Sequence, residues 1–240
     1  MSAAEVASRT LRVHPVRFEI GLINKKRGRD RVDIDAMRRG AEQPVLADQS
    51  TIGQAAQDLA DAFVTDPHIS WIVRGDRHCD AARLKFFQFI LAGSALPDGE
   101  VRRPQAGGAA AVWIPSETLG DQPLIEEIKL LPLLLSVTGL SRFGRLAALR
   151  AAMDKHHPMD RPHSYLWFIG VAPQAQGLGI GSRLLKAGLD RLDAEGRAAF
   201  LETSTERNVA LYRRHGFEII ADYKPSPTGP QTYGMWRNAT

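Results

Sequence analysis

The sequence predicts a mixed α/β domain built around one sheet, and three observations support this fold class. Apolar residues make up 44% of the 240 positions, the usual share for a chain with a globular core. Strand-like and helix-like stretches alternate through the second half of the chain. SYLWFIGV (164–171) is apolar on both faces, as a central strand would be. Helices flanking one sheet are the architecture that buries all of these faces.

The first half is predicted to form amphipathic helices, a pair of strands and a helical insert. Apolar residues recur at helical spacing from Ile52 to Phe63 and again from Cys79 to Ile90. The dipeptide DP at 66–67 ends the first of these helices. In chain order the predicted elements are a short edge strand at 44–48, helices at 52–63 and 79–90, two strands about a Gly-rich turn at 99–115, and a helical insert at 119–157 in two pieces broken around Pro132 and 138–139.

The second half is predicted to alternate between strands and helices. Ile180, Leu184 and Leu189 share one helix face, and Gly196 is placed to end that helix. The chain shows no internal repeat. In order the elements are a strand at 164–171, a helix from 180 to 195, a strand at 198–204, a short helix at 208–216, and strands at 217–223 and 231–237.

The positive charge of the chain is concentrated at its N-terminus. Residues 1–43 hold ten Lys or Arg and six Asp or Glu, which accounts for the whole net charge of +4. Acidic residues interleave in NKKRGRDRVD (24–33) and aromatic residues do not, which favours a solvated arm over a nucleic-acid patch. We therefore expect a poorly ordered basic arm at 1–43, one domain at 44–240, and no nucleic-acid partner.

Cysteine content and hydropathy point to the cytoplasm. Cys79 is the single cysteine, so the chain has neither a disulfide framework nor a cysteine cluster for metal. The longest apolar runs, 86–97 and 129–137, are shorter than the roughly 20 residues that a spanning helix needs. We therefore expect no membrane span and a cytoplasmic location.

The turn in VAPQAQGLGIGSRLL (171–185) has the features of an anion site. A helix N-terminus presents backbone N–H groups that have no partner inside the helix, and its dipole is positive there. Glycines 177, 179 and 181 let an anion approach the backbone, and Gln176 adds a side-chain donor. A P-loop is excluded because no Gly-Lys-Ser/Thr follows. A dinucleotide fingerprint is excluded because Ser182 and Leu184 stand where its third glycine is needed.

Two signatures around this turn resemble those of a known superfamily. Gln176-x-x-Gly179-x-Gly181, after a strand that ends Val171-x-Pro173, resembles motif A of the GNAT superfamily of acyl-CoA-dependent N-acetyltransferases. NVALYRRHGF (208–217) is similar to the second signature of that superfamily, with its alanine offset. This resemblance covers roughly residues 45–240 and implies a mostly antiparallel sheet with one splayed parallel strand pair.

Further segments narrow the resemblance to the puromycin N-acetyltransferase branch. They are AAAVWIPSE (109–117), FLETS (200–204) and GPQTYGMWR (229–237). The resemblance implies acetyl-CoA as co-substrate and no metal. It implies that Ile169 and Val171 bracket the pantetheine and that Asn208 and Tyr212 also contact the cofactor, Asn208 being in addition a possible helix N-cap. The pyrophosphate is assigned to Gln176, Gly177, Leu178, Gly179, Ile180, Gly181 and Ser182.

Two residues are the candidates for acid–base chemistry. Tyr212 is the candidate general acid, because a phenol of pKa about 10 is protonated at neutral pH and can donate to a departing thiolate; the alternative is a tyrosine that only packs its helix. Glu202 is the candidate base, provided that burial raises its pKa, and the alternative is an ion pair with an arginine. Other candidates are His156, His157 and His163 as bases, and Trp113 and Trp167 as the lining of an acceptor pocket.

The sequence thus predicts an acetyl-CoA-dependent N-acetyltransferase that acts on a primary amine of a small molecule by direct attack in a ternary complex. Two alternatives stay open. One is acetylation of a protein or peptide amine, and the other is a module that senses acyl-CoA without turnover. The sequence carries no signal for an oligomeric state.

Overall fold

The computed structural model describes residues 33–119 and 124–240, with side chains from residue 130 onward in the helix that begins at Leu124. The α-helices are α1 (Ile34–Glu42), α2 (Ile52–Ala62), α3 (Pro67–Ile72), α4 (Cys79–Ile90), α5 (Leu96–Asp98), α6 (Leu124–His156), α7 (Ile180–Ala194) and α8 (Glu206–Arg213). The strands are β1 (Val45–Leu46), β2 (Glu100–Arg103), β3 (Ala109–Pro115), β4 (Ser164–Val171), β5 (Ala199–Thr203), β6 (Glu218–Tyr223) and β7 (Thr232–Arg237).

The seven strands form one sheet in the order β1-β2-β3-β4-β5-β7-β6. Every neighbouring pair is antiparallel except β4 and β5, which are parallel. These two strands pair only from Ser164–Ala199 to Leu166–Leu201, and beyond that point they separate. The model confirms the predicted fold class, including the splayed parallel pair.

Two apolar cores lie on opposite faces of the sheet, and the alternation along β3 separates them. Val112 and Ile114 face the core formed with α2, α3 and α4. Ala111 and Trp113 face the core formed with α1 and α7. Trp113 fits against α7 because Gly188 has no side chain, since a Cβ there would lie 2.7 Å from the indole ring. β3 is therefore buried on both faces, which explains its continuous apolar run.

Short polar motifs begin two of the helices. Asp66 accepts a hydrogen bond from the backbone N–H of Ile69 at 2.9 Å, and Pro67 occupies the first turn of α3. The DP dipeptide that we expected only to end a helix therefore also begins α3, which the sequence analysis missed. Thr205 caps α8 by accepting from the N–H of Asn208 at 3.3 Å. The possible N-cap role of Asn208 is therefore wrong, because Asn208 lies inside the helix.

The helix α6 bends where a glycine adopts a left-handed conformation. Gly139 has φ of 63°, whereas Pro132 lies within the helix and does not break it. The bend is tied to the end of α3. Arg142 donates to the carbonyl of Ser70 at 2.7 Å, and the N–H of Arg74 donates to the carbonyl of Val137 at 2.9 Å. The predicted break at 138–139 is thus confirmed and the one around Pro132 is not.

By length and composition alone, Leu130–His156 is long and apolar enough to cross a membrane, with a mean hydropathy of 1.2 over its best window. The expectation of no membrane span rested on the uninterrupted apolar runs, which are shorter than this helix. The bend at Gly139 falls inside this stretch, and α6 packs on α3 and α4. The segment is therefore one wall of the domain described here.

The helix α1 falls within the arm predicted at 1–43, and the arm before residue 33 lies outside the described residues. Met37 and Ala41 are buried against α7. Asp33 caps the helix by accepting from the N–H of Ala36 at 2.9 Å. The spacing of Ile34, Met37 and Ala41 is the apolar signal that could have predicted this helix.

Candidate active site

The glycine turn between β4 and α7 has backbone angles that favour glycine at two positions. Gly177 has φ of 76° and Gly179 has φ of 77°. A Cβ at Gly177 would meet nothing within 4 Å, so glycine is favoured there by the left-handed backbone conformation and not by a lack of space. This conformation directs the chain from the end of β4 into the first turn of α7.

The N–H groups of this turn are available to an anion. Among the described residues, no hydrogen bond joins the backbone N–H groups of residues 177–182 to a protein acceptor. Gly179 is the N-cap of the 15-residue α7 and supplies no side-chain cap. Consecutive N–H groups at the positive end of a helix dipole fit a diphosphate.

The side chains of the turn divide between packing and polar contacts. Ile180 is buried and Leu178 packs against the same core, so these residues present only their backbone to a ligand. Gln176 donates its side-chain N–H to the carbonyl of Val171 at 2.9 Å, so this donor fastens the turn to β4 instead of pointing freely at the mouth. The Ser182 hydroxyl pairs with His215 Nε2 at 2.7 Å.

A second feature that fits a CoA thioester is the open edge of β4. The register between β3 and β4 shifts so that Trp167 is an extra residue between Leu166 and Phe168. Beyond Leu166 the strand has no partner on its β5 side within the described part of the chain. This open edge contains Ile169 and Val171, and an extended pantetheine arm can pair with such an edge as a further strand would.

Helix α1 brings an arginine to the glycine turn. Arg38 donates from Nε to the carbonyl of Leu178 at 3.2 Å, and Arg183 on α7 forms an ion pair with Glu42. The sequence analysis did not assign these arginines to the site, because their proximity depends on how α1 packs against α7.

A cavity of about 260 Å³ lies where β4 and β5 separate. It is lined by β4, β5, α8, the segment from Phe63 to Ser94, and α6. The predicted residues that it brings together are Trp167, Ile169, Glu202, Asn208 and Tyr212, with His157 also in the wall. Trp113 lies in the core against α7, so its predicted place in an acceptor pocket is wrong.

Tyr212 and Asn208 lie four residues apart on α8 and both face this cavity. Tyr212 is nearly buried. Burial, with a smaller contribution from the charge of Asp66, raises the pKa of the Tyr212 phenol above its usual value. The phenol therefore keeps its proton throughout the physiological range.

Glu202 lies in the cavity wall between two tyrosines. Tyr165 donates its hydroxyl to Oε2 at 2.9 Å, and Tyr223 donates to Oε1. Burial raises the pKa of Glu202 to about 7, and the charge of Asp154 also raises it. The hydrogen bonds from the two tyrosines act in the opposite direction and lower it. The condition that the sequence analysis set for Glu202 as a base is therefore met, and its partners are tyrosines instead of an arginine.

The histidines are weaker candidates for the base. Burial lowers the pKa of His157 to about 3, and His163 contributes to the same shift. The two rings meet at 2.9 Å between their Nε2 atoms, with His163 buried in the apolar interior. His156 ends α6 and stacks on Tyr223 with ring centroids 4.0 Å apart. His156 lies in the last turn of α6, and His157 directly follows the helix.

Comparison with known proteins agrees with this geometry. Residues 141–217 match the model of the acetyltransferase (GNAT) family. This segment contains the open strand β4, the glycine turn, Glu202 and Tyr212. Residues 141–217, about a third of the chain, are therefore similar to a GNAT acetyltransferase domain.

Curated relatives share part of the chain. A mycothiol acetyltransferase of Paenarthrobacter aurescens is 39% identical over 69 residues, which are 26% of this chain and 21% of that protein. A mycothiol acetyltransferase of Cellulomonas flavigena is 41% identical over 75 residues, which are 29% of this chain and 22% of that protein. The chain thus matches about a fifth of the length of these relatives.

Solved structures resemble the chain over most of its length. A Corynebacterium glutamicum structure described as "histone acetyltransferase HPA2 and related acetyltransferase" is 25% identical with a TM-score of 0.60, covering 82% of this chain and 97% of the other. The polyamine N-acetyltransferase of Drosophila melanogaster has a TM-score of 0.54 at 17% identity, covering 81% and 99%. The second likeness shows the shared fold alone.

Proposed function

We propose that this protein is an acetyl-CoA-dependent N-acetyltransferase that acts on a primary amine of a small molecule by direct attack in a ternary complex. The observation that carries the proposal is that one strand, β4, connects the glycine turn to the cavity. Ile169 on the open edge of β4 lines the cavity that contains Glu202 and Tyr212, and the same strand leads through Val171 to the turn with the unpartnered N–H groups of residues 177–182. The residues present fit a CoA thioester whose acetyl end reaches the cavity.

Glu202 accepts the proton of the amine. An alkylammonium has a pKa near that of lysine, about 10, so it arrives charged at neutral pH. A carboxylate of pKa about 7 is a stronger base than an ordinary glutamate and is half ionised near neutrality. Glu202 takes one proton from the ammonium, which frees the nitrogen lone pair, and the neutral nitrogen then forms its bond to the acetyl carbon.

Tyr212 serves the leaving thiolate. The bond between the carbonyl carbon and sulfur breaks, the sulfur keeps the electron pair, and the Tyr212 hydroxyl donates first a hydrogen bond and then its proton. The second proton that the nitrogen loses restores the phenol, and the proton on Glu202 passes to solvent. Because burial raises the pKa of this phenol, donation is less favourable than in water until the negative charge has developed on sulfur. We therefore expect the loss of the Tyr212 hydroxyl to lower the rate of acetyl transfer less than the loss of the Glu202 carboxylate.

The acceptor is inferred from the cavity, since the relatives share too little of their length to define it. Proteins similar to this chain include a mycothiol acetyltransferase and a polyamine N-acetyltransferase. The likeness to the puromycin N-acetyltransferase branch rests on segments 109–117, 200–204 and 229–237. All of these enzymes transfer an acetyl group, and a deep cavity beside Glu202 favours a small amine over a protein chain.

A thiol-release assay with acetyl-CoA and a panel of amines and peptides tests the proposal. We expect release of free CoA that depends on a small primary amine, with the acetylated amine as the second product. Release only with peptides would establish the protein-modifying alternative. Saturable acetyl-CoA binding without release for any acceptor would establish the sensing alternative. Glu202→Gln is the matched control, since it keeps the shape of the side chain and removes the base.

A further inference from the structure

We infer that the acceptor is a primary amine attached to an apolar body, and that the bent helix α6 together with α3 and α4 forms the pocket for that body. The inference rests on the proposed function and names its substrate class. It depends on three features of the cavity: the composition of its walls, the position of its charges, and the rigidity of α6.

The walls of the cavity are mostly apolar. Of the side chains that line it, the aliphatic and aromatic ones outnumber the polar ones about two to one. Phe86 comes from α4, Ile69 from α3, and Leu133 from α6, so three helices face the sheet strand that carries Trp167. An apolar ligand gains about 25 cal/mol for each Å² that it buries against such a surface.

The charges in the cavity favour one cation near the catalytic residues. Asp154 and Glu202 line the cavity with Arg150, as does Asp66, whose pKa is raised by burial, so carboxyl groups outnumber guanidinium groups. The charge of Asp154 raises the pKa of Glu202, and the charge of Asp66 raises that of Tyr212, which places both carboxylates near the acid–base pair.

The histidines in the walls do not cancel this negative charge. Burial lowers the pKa of His68 to about 4 and that of His157 to about 3, so both rings are neutral at pH 7. The ammonium end of an amine is therefore attracted toward Glu202, while its carbon chain extends over the apolar side chains. A second ammonium at the far end of the molecule would have to leave water for that apolar region, which is costly.

The apolar wall is held in place before any ligand binds. Arg142 donates to the carbonyls of Ser70 and Val73, and Arg145 donates to the carbonyl of Trp71 at 3.3 Å. These bonds join α6 just after its bend to the end of α3. A preformed pocket binds an apolar group without the cost of ordering its own walls.

A homologous series of linear amines from propylamine to octylamine tests the inference, because these amines share one pKa and differ only in apolar length. We expect kcat/KM to rise about fourfold per methylene, from about 0.8 kcal/mol per buried CH₂, until the pocket is filled. Hexane carrying an amine at both ends should react about 100-fold less well than hexylamine, since its second ammonium enters the apolar region.

A pair of variants locates the effect on the inner face of α6. Leu133 lines the cavity, whereas Leu131 is 40% exposed and does not line it. Leu133→Gln should reduce kcat/KM for octylamine about tenfold and leave propylamine and the acetyl-CoA Kd nearly unchanged. Leu131→Gln should match the wild type with both amines.

Amine binding is measured separately by calorimetry in the presence of CoA, which has no acetyl group to transfer. Transfer to all amines at rates independent of chain length would overturn the inference and leave the proposed function standing. Absence of transfer with every amine would overturn the proposed function. In that case a Kd that falls with each methylene supports the apolar pocket, and a Kd that does not change with length overturns it.

Discussion

The cofactor side and the acceptor side of the candidate active site are built in different ways. The cofactor side is a run of consecutive residues, 171–182, whose conformation depends on glycines within the run itself. The acceptor side is assembled from β4, β5, α8, α6 and the segment from Phe63 to Ser94, which meet only in the folded domain. A site of the first kind can be located from the sequence alone, and a site of the second kind requires coordinates.

Removing the carboxylate of Glu202 should have the largest effect on turnover and should leave acetyl-CoA binding nearly unchanged. We expect Glu202→Gln to lower kcat/KM by about 100- to 10,000-fold, the usual range for the loss of a general base. The acetyl-CoA Kd, measured by calorimetry, should stay within about twofold of the wild-type value. Glu218→Gln, on the exposed side of β6, is the control. A Glu202→Gln enzyme with wild-type activity would remove Glu202 from the mechanism.

Removing the Tyr212 hydroxyl should have the second largest effect. A hydrogen bond to a developing charge is worth about 1.5–3 kcal/mol, so we expect Tyr212→Phe to lower kcat about 10- to 100-fold. Steady-state kinetics with Tyr233→Phe as the control checks this, since Tyr233 lies on β7 and does not line the cavity. Full activity in Tyr212→Phe would leave the tyrosine a packing residue.

A substitution in the glycine turn tests the cofactor side. Gly179→Ala places a side chain in the left-handed region, at a cost of about 1–2 kcal/mol, and should weaken acetyl-CoA binding about tenfold as the turn relaxes. Gly196→Ala at the other end of α7 is the matched control, because φ there is 63° and a Cβ has open space. It should lose similar stability on thermal unfolding and bind acetyl-CoA normally. Equal affinities in the two variants would contradict the assignment.

The pH dependence gives the smallest effect and sharpens the contrast between the two sides. Glu202 must be ionised to act, and its pKa is raised to about 7, so kcat/KM should rise with pH through about 7 and then level off. A rise that continued toward the amine pKa near 10 would mean that the enzyme only binds amine already deprotonated in solution.

Replacing either of the two tyrosines that bind Glu202 should shift the midpoint of this pH profile. Their hydrogen bonds lower the pKa of Glu202, and the effect of Tyr223 is the larger. Tyr223→Phe should therefore move the midpoint of the profile upward by about one pH unit. Tyr165→Phe should move it in the same direction by less, and a midpoint that stays fixed in both variants would assign the titration to another group.

The fold and the cofactor side were predictable because the signals are local. The apolar residues on both faces of 164–171 identify a central strand, and the glycines at 177, 179 and 181 identify the turn. The helix α3 was missed because Asp66 and Pro67 suit a helix start as well as a helix end. The helix α1 was missed because its basic residues outweighed the apolar spacing of Met37 and Ala41.

The acceptor side was predictable only in part. Glu202 was identified because burying a carboxylate on a strand is costly unless the group is paired or functional. Its partners Tyr165 and Tyr223 come from β4 and β6, and no sequence spacing predicts that these strands bring them together. Trp113 and Trp167 both lie on strands of apolar pattern. Trp113 faces the core against α7, whereas Trp167 lies at the register shift in β4 and lines the cavity. Contacts of this kind depend on tertiary packing.

An NMR titration with acetyl-CoA that resolves individual backbone amides tests the central claim most directly. The account predicts saturable shifts that are largest for the amides of residues 177–182, with the amide of Gly196 at the far end of α7 unchanged. Saturable binding that left the amides of residues 177–182 unmoved, or no binding at all, would contradict it.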